Sequence, residues 1–237
     1  MRCFAIFDVD HTLLNGSTGK ELAVSCVRRG IVSASILIAS LLVYLRYRIG
    51  HLDPSILEKG IHRLAGIPIQ KLSEVAEEIF HSQVKPKLYS RALEFIRRER
   101  AEGKAIVLAT SAPECVVRPL ADCLNVEYLL ATKFEAEDGV LTGRFQGEPV
   151  FGGGKERKVL EFIRRHESDL GCCSFYSDSW FDHPLLERVK SPYVVNPDVK
   201  LRRLAQLRGW PIYHLRDTAG NRDIQDMLTT GKLQNEC

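Results

Sequence analysis

The chain has 237 residues, of which 45% are hydrophobic and 27% are charged, values that are ordinary for a globular protein. This length suits either one large domain or a core with a smaller insert. The formal net charge is only +3 and the basic residues are spread along the chain, which argues against a nucleic-acid partner.

The first predicted element is a strand at residues 3–7, and two carboxylates separated by one residue follow it, Asp8 and Asp10. Side chains alternate along a strand, so these two point the same way. Carboxylates repel each other and are costly to bury unpaired. The pair is explained if a cation lies between them, or if one is an acid and the other a base or nucleophile. The pattern predicts metal-assisted chemistry near the start of the chain.

A long helical stretch follows this strand. Residues 16–85 have helix-like patterns throughout, and strand-like patterns resume only after them. We predict that residues 1–15 and 86–237 form a catalytic core and that residues 16–85 form an inserted helical cap. Ligands of open α/β sheets bind outside the carboxyl ends of the strands, so such an insert would cover the site as a lid.

Inside the insert lies an apolar segment, residues 31–45, with the sequence IVSASILIASLLVYL and arginines on both sides. A membrane-spanning helix needs about 20 apolar residues. At about 1.5 Å per residue this segment covers only about 22 Å. The length favours a buried helix of the insert. The alternative is a helix that lies on a membrane surface or lines an apolar substrate pocket.

Strands and helices alternate in the rest of the chain. The predicted strands are residues 105–109, 127–131, 172–176 and 193–195. The predicted helices are residues 87–100, 113–124, 155–165 and 199–207. A hairpin is predicted at residues 133–145 with Asp138-Gly139 as its turn. This alternation predicts an α/β fold with a parallel sheet covered by helices on both faces.

Seven cysteines are present, with no CxxC pair, and several lie inside apolar runs. We expect thiols in a reducing compartment. The first apolar run is short and ends in acids, so no signal peptide is predicted. A cytoplasmic protein is therefore expected, peripheral to the membrane if residues 31–45 contact lipid.

Four polar segments lie where the sheet would bring strand ends together. They are Asp8-Val9-Asp10-His11-Thr12, Ala109-Thr110-Ser111-Ala112-Pro113, Gly152-Gly153-Gly154-Lys155 and Tyr176-Ser177-Asp178-Ser179-Trp180-Phe181-Asp182. The carboxylates of Asp8, Asp10 and Asp178 are hard oxygen ligands that suit Mg²⁺. Free backbone N–H groups near Ser111 and Ala112, before a helix, favour an anion.

The remaining polar groups suit a phosphoryl ligand. Thr110 offers a hydroxyl, and Lys155 adds a positive charge that can neutralise a phosphoryl group. Asp8 is a carboxylate that can attack such a group. Together the four segments contain what is needed to hold and transfer a phosphoryl group.

In this order and spacing, the segments resemble the four motifs of the haloacid dehalogenase superfamily. DVDHT is similar to its first motif, DxDx[TV], and Thr110, Lys155 and DSWFD are similar to the second, third and fourth. The resemblance covers nearly the whole chain. TSAPE, GGGK and VNPDVKLRRLAQLRGWPI are similar to the branch that includes phosphoserine phosphatases. This resemblance implies a Rossmann-like core with a helical cap between the first two motifs.

The resemblance implies a Mg²⁺-dependent phosphatase that hydrolyses a phosphomonoester through an aspartyl-phosphate. Asp8 would be the nucleophile. Asp10 would protonate the leaving oxygen and then activate water. Asp8, the Asp10 backbone carbonyl and Asp178 would hold the metal.

The same resemblance assigns the other polar residues. Thr110 and Lys155 would bind the phosphoryl oxygens, and Asp182 would support Lys155 or the metal site. Ser111 joins the phosphate-binding residues through the free backbone N–H groups described above. Lys158 is a second candidate for the lysine of the third motif, almost one helical turn further along. His11 occupies a position where glycine is frequent in the superfamily.

The substrate is expected to be a small phosphorylated metabolite or a lipid phosphate. Phosphoserine phosphatases carry a cap glutamate nine residues after the nucleophile, where this chain has Ser17, and Glu21 lies one helical turn further on. The apolar segment resembles that of phosphatidylglycerophosphate phosphatases, which gives a lipid alternative at the membrane surface. Histidinol phosphate is another candidate. A non-catalytic binding protein that kept the fold is the alternative from a different functional class.

Overall fold

The computed structural model describes residues 2–35, 37, 60–220 and 224. Its strands are β1 (Phe4–Phe7), β2 (Ala105–Pro113), β3 (Tyr128–Thr132), β4 (Phe134–Glu137), β5 (Val140–Phe145), β6 (Ser174–Ser177), β7 (Ser191–Val195) and β8 (Ile212–Tyr213). Six of them form a parallel sheet in the order β3-β2-β1-β6-β7-β8. The predicted α/β class with a parallel sheet is confirmed.

Seven helices accompany these strands in the described part of the chain. They are α1 (Thr18–Arg28), α2 (Ile69–Ile79), α3 (Ser90–Ala101), α4 (Glu114–Cys123), α5 (Gly153–Arg165), α6 (His183–Leu186) and α7 (Val199–Arg208). A π-helical turn, Phe80–Val84, and a short 3-10 turn, Lys85–Lys87, lead from α2 back towards the sheet. The later helices lie close to the predicted ranges.

Both faces of the sheet are buried. Successive side chains of β1 point to opposite faces. Ala5 and Phe7 belong to one apolar cluster, whereas Phe4 and Ile6 belong to a second one. All four are fully buried. A parallel sheet is normally covered on both sides in this way, which explains why β1 is apolar without alternation.

The described part of the insert does not form a separate core. Leu22 of α1 and Leu72 of α2 belong to the same apolar cluster as Val116 and Val117 of α4. Helix α2 therefore packs on the core through its apolar stripe. The division into residues 16–85 and the remainder stays a prediction of domain organisation.

The apolar segment at residues 31–45 lies mostly outside the described residues. Ile31 and Val32, which are described, are partly buried and pack against the cluster that contains α1. Among the described helices, none combines the length and the apolar character that a membrane crossing requires.

The predicted hairpin is present as β4 and β5, which pair antiparallel. Asp138 and Gly139 form its turn, with φ of 50° and 76°. Positive φ at both central residues matches the twist of the two strands and favours Asp-Gly at this place.

Two expectations were wrong. The strand predicted to end at residue 109 continues to Pro113, so the helix begins at Glu114 and Pro113 precedes it. The cysteines were expected to be thiols, but Cys3 and Cys172 form a disulfide. These two residues lie just before β1 and β6, which are paired neighbours, so the sheet itself brings their side chains together.

Candidate active site

The carboxyl ends of β1 and β6 form the centre of the candidate site. The order of strands in the sheet reverses at this point, because β2 lies on one side of β1 and β6 on the other. In open α/β sheets such a point leaves a crevice where ligands bind. Asp8 directly follows β1, and Asp178 directly follows β6. Both side chains are buried.

Lys155 connects two of the predicted carboxylates. Its ammonium group donates to Asp8 Oδ1 at 2.8 Å and to Asp182 Oδ2 at 2.7 Å. All three side chains are buried, with 4% or less of each residue exposed. Asp182 also accepts a hydrogen bond of 2.6 Å from the Ser177 hydroxyl. The structure thus brings together residues that are 147 positions apart in sequence.

The glycines before Lys155 allow this approach. Gly152 has a φ of 51°, a left-handed conformation that glycine adopts at little cost. A Cβ at Gly154 would collide with the carbonyl oxygen of Pro149. Helix α5 can therefore begin close to the loop before it, and Lys155 lies in its first turn. Lys158, the other lysine considered, is partly exposed.

The charges in this cluster do not balance. Lys155 contributes one positive charge to two carboxylates, Asp8 and Asp182. Burial raises the pKa of Asp8 to about 7, although Lys155 acts in the opposite direction. Burial lowers the pKa of Lys155, but Asp182 and Asp8 raise it above its ordinary value, so Lys155 stays charged. A further cation beside Asp8 would stabilise its ionised form.

The side chain of Asp10 is held by the start of the insert. Its Oδ1 accepts hydrogen bonds of 2.9 Å from the backbone N–H and the hydroxyl of Thr18. Its Oδ2 accepts one of 2.9 Å from the Ser17 hydroxyl. Burial raises the pKa of Asp10, and the bonds from Thr18 and Ser17 only partly oppose this. A carboxyl group with a raised pKa is suited to donate a proton at neutral pH.

The second predicted segment is arranged differently from expectation. Thr110 is buried, and its hydroxyl accepts a hydrogen bond of 3.1 Å from the Ala112 N–H. That N–H was expected to be available for an anion. Ser111 is exposed. The cause is local: β2 continues through these residues, so they do not form the free first turn of a helix.

The predicted metal ligands are two carboxylates, of Asp8 and Asp178, and one backbone carbonyl, of Asp10. In the described part of the chain, no three His, Cys, Asp or Glu side chains gather closely enough to bind a metal by themselves. Mg²⁺ does not require this, because it usually keeps several waters and takes one or two carboxylates from the protein. The buried carboxylates of Asp8 and Asp178, which directly follow neighbouring strands, fit that pattern. The net negative charge of Lys155 with Asp8 and Asp182 is also consistent with a bound cation.

Three residues of the site are not among those that the sequence predicts. They are Ser17, Thr18 and Ser177, which bind the carboxylates of Asp10 and Asp182. Ser17 also accepts from the Lys20 N–H and so begins α1, and a serine before a helical pattern is a recognisable signal. Nothing in the sequence around Ser177 indicates its partner.

Comparison with known proteins decides the family. The family model described as haloacid dehalogenase-like hydrolase matches residues 5–187. The chain belongs to this family. The resemblance seen in the sequence is thereby confirmed, and so is the expectation of a hydrolase.

Two relatives of this haloacid dehalogenase-like hydrolase have names that state a phosphatase activity. The chain is 29% identical over 217 residues to a protein of Mycobacterium tuberculosis named phosphoserine phosphatase, covering 90% of this chain and 70% of that protein. It is 28% identical over 222 residues to a histidinol-phosphatase of Neisseria meningitidis, covering 91% and 100%.

Solved structures show the same fold. A Bordetella pertussis protein of unknown function superposes with a TM-score of 0.78 and 32% identity, covering 90% of this chain and 98% of that one. A phosphoserine phosphatase with a phospho-aspartyl intermediate analogue gives a TM-score of 0.70 at 17% identity, covering 97% and 98%. At this identity, the second similarity concerns the fold alone.

Proposed function

We propose that this hydrolase is a Mg²⁺-dependent phosphatase that cleaves a small phosphomonoester through an aspartyl-phosphate on Asp8. The observation that carries the proposal is the buried contact of Lys155 with both Asp8 and Asp182 at the end of a central strand. Buried charges of this kind are costly to maintain. They are expected where charge on a ligand must be matched.

Asp8 and Asp10 have complementary roles in the proposed reaction. Asp8, ionised beside Lys155, attacks the phosphorus atom, and the bond from phosphorus to the ester oxygen breaks. Asp10 gives its proton to the departing oxygen and then accepts a proton from the water that hydrolyses the aspartyl-phosphate. The hydroxyls of Ser17 and Thr18 orient the Asp10 carboxyl group. The two carboxyl groups therefore need opposite protonation states.

The other site residues would bind the phosphoryl group and the metal. The Lys155 ammonium, the Thr110 hydroxyl and Ser111 would contact phosphoryl oxygens. The carboxylates of Asp8 and Asp178 and the backbone carbonyl of Asp10 would hold Mg²⁺. When bound, Mg²⁺ neutralises charge on the phosphoryl oxygens. Asp182 keeps Lys155 charged and in place.

The residues at the start of the insert argue against phosphoserine as the main substrate. Ser17, at the position of the family glutamate, is occupied with Asp10 and with the start of α1. Glu21 forms an ion pair of 2.7 Å with Lys87. We infer that this site has no free carboxylate to bind the amine of phosphoserine at the position where phosphoserine phosphatases have a cap glutamate. A histidinol phosphate substrate is favoured by the relative that carries that name and aligns over its full length.

The experiment compares Asp8→Asn with Asp138→Asn. Phosphate release from p-nitrophenyl phosphate in the presence of Mg²⁺ is expected to vanish in Asp8→Asn, because an amide is not a nucleophile. Asp138 lies in the exposed hairpin turn, where asparagine also tolerates a positive φ, so Asp138→Asn should keep wild-type activity. Activity in Asp8→Asn would contradict the nucleophile assignment. An inactive wild-type protein would favour the non-catalytic binding protein.

A panel of phosphate esters then tests the substrate. Release of phosphate from histidinol phosphate, phosphoserine and lysophosphatidic acid is compared by kcat/KM. We expect histidinol phosphate to exceed phosphoserine by at least about tenfold, which corresponds to about one lost charged contact. A preference for the lipid phosphate would support the alternative based on residues 31–45, most of which lie outside the described residues.

A further inference from the structure

The backbone next to Asp10 has a conformation that depends on its neighbours. His11 has a φ of 61°, in the left-handed region that is uncommon for residues other than glycine. Its N–H donates to the Gly16 carbonyl at 3.1 Å. The His11 N–H and the Asp10 carbonyl belong to one planar peptide group, so this bond also orients the Asp10 carbonyl.

A second contact holds the other side of His11. Asn196, which directly follows β7, donates from its amide Nδ2 to the His11 carbonyl at 3.4 Å. Its Oδ1 accepts from the Leu215 N–H at 2.8 Å, and its own backbone N–H donates to the Tyr213 carbonyl at 2.9 Å. The short bond to Leu215 fixes the plane of the amide, so that Nδ2 is the end that faces His11.

We propose that Asn196 is a positioning residue for the metal site. By holding the His11 carbonyl while Gly16 holds the His11 N–H, Asn196 maintains the left-handed backbone of His11. It thereby sets the direction of the Asp10 carbonyl. This assignment rests on the proposed function, in which that carbonyl is a ligand of Mg²⁺.

The contact between Asn196 and His11 does not follow from strand pairing. Asn196 directly follows β7, and β6 separates that strand from β1 in the sheet. Its side chain contacts the segment after β1 only because the loops beyond the strand ends converge. Asn196 also has a positive φ, 45°, which restricts the substitutions that test its side chain to residues that tolerate this backbone.

Two substitutions separate its contacts. Asn196→Asp tolerates the left-handed backbone and can still accept from the Leu215 N–H, but it cannot donate to the His11 carbonyl. Its added negative charge would by itself attract a cation, so weaker Mg²⁺ binding cannot be due to charge. Asn196→Gly tolerates the backbone and removes both side-chain contacts. Asn125, an exposed residue with a φ of 49°, gives the matched control Asn125→Gly.

The measurement is the dissociation constant of Mg²⁺ by isothermal titration calorimetry on the metal-free protein, with thermal unfolding of each variant alongside. Both Asn196 variants are expected to bind Mg²⁺ about fivefold more weakly, the effect of about one neutral hydrogen bond. Asn125→Gly should bind as the wild type does. Asn196→Gly is expected to lose more thermal stability than Asn196→Asp, because it removes both side-chain contacts. If the affinity for Mg²⁺ fell in the same proportion as thermal stability in the two variants, Asn196 would have a structural role alone.

Two further results would overturn the assignment, and they are distinguishable from each other. If the wild type binds Mg²⁺ and both Asn196 variants bind it equally well, Asn196 has no positioning role, and the proposed function is unaffected. If the wild type binds no Mg²⁺, the metal-dependent mechanism fails, and the role of Asn196 fails with it.

Discussion

Lys155 occupies the position in this site where a substitution is most informative. Without its ammonium group, Asp8 and Asp182 would remain buried and close together without a cation. Lys155→Met is expected to lower kcat by about 100-fold or more, since a donor aimed at the reacting group is lost. The free energy of unfolding should fall by about 3–5 kcal/mol, as for other broken buried ion pairs. Phosphate release and urea denaturation measure the two effects.

Lys158→Met is the matched control for this substitution. Lys158 is partly exposed three residues further along the same helix, so its loss should change stability by less than about 0.5 kcal/mol. If Lys158→Met rather than Lys155→Met abolished activity, the lysine of the third motif would be misassigned.

The raised pKa of Asp8 predicts how the stability of the metal-free protein depends on pH. The ordinary value of 3.8 applies to the unfolded chain, and burial raises the pKa to about 7 in the folded one. The folded state therefore binds this proton more tightly. The contribution of the protonated Asp8 carboxyl group to stability is complete below pH 3.8 and is lost as the pH rises through about 7.

Urea denaturation between pH 4.5 and 7.5 in the presence of EDTA tests this pH dependence. The free energy of unfolding of the wild type should fall across this range relative to that of Asp8→Asn, which cannot titrate. Parallel pH profiles for the two proteins would show that Asp8 keeps an ordinary pKa when folded.

Individual residues also show how far the sequence could be interpreted. The sequence predicts Asp8, Asp178 and Lys155, because each follows a strand or begins a helix and the topology brings such positions together. The partner of Ser177 and the contact of Asn196 with His11 could not be predicted, because they depend on side-chain directions in loops. The hydrogen bond from Ala112 to Thr110 was missed because strand β2 is longer than its apolar run.

Among the elements, β1 and β6 carry both the candidate metal ligands and the disulfide between Cys3 and Cys172. A cross-link between distant parts of the chain restricts the unfolded state, and native disulfides typically contribute about 2–4 kcal/mol. We expect Cys3→Ser with Cys172→Ser to lower the free energy of unfolding by about that amount under oxidising conditions. Cys123→Ser, which removes a free thiol, is the control.

Peptide mapping without reductant provides the direct measurement. A linked pair of peptides containing Cys3 and Cys172 is expected, and it should separate on reduction. Recovery of both peptides unlinked from protein kept under oxidising conditions would contradict the cross-link. The sequence did not indicate this pair, because the two cysteines are 169 positions apart and only the pairing of β1 with β6 brings them together.

For the molecule as a whole, the shared apolar cluster implies that the described part of the insert unfolds with the core. Leu72 of α2 is 1% exposed and lies in the cluster that includes Val116. Leu72→Ala should lower the free energy of unfolding by about 2–5 kcal/mol.

Both tryptophans, Trp180 and Trp210, lie in the predicted core, so their fluorescence follows unfolding of the core.

The position of the fluorescence transition therefore distinguishes one cooperative unit from two. In one unit, Leu72→Ala shifts the tryptophan transition to lower urea concentration, together with the loss of helical circular dichroism. An unchanged tryptophan transition would show that the insert unfolds independently. Leu93→Ala, at a fully buried position of α3, is the control that should shift both signals.

The hydrogen bonds from Ser17 and Thr18 to Asp10 have a consequence for how such enzymes change their substrates. Exchanging inserts between relatives is an obvious route to a new specificity, by recombination or by protein engineering. In this chain Ser17 and Thr18, near the start of the exchanged piece, also hold the carboxyl group of Asp10, the proposed proton donor. A chimera joined after Thr18 should keep its chemistry and acquire a new selectivity, whereas one joined before Ser17 inherits both from the donor.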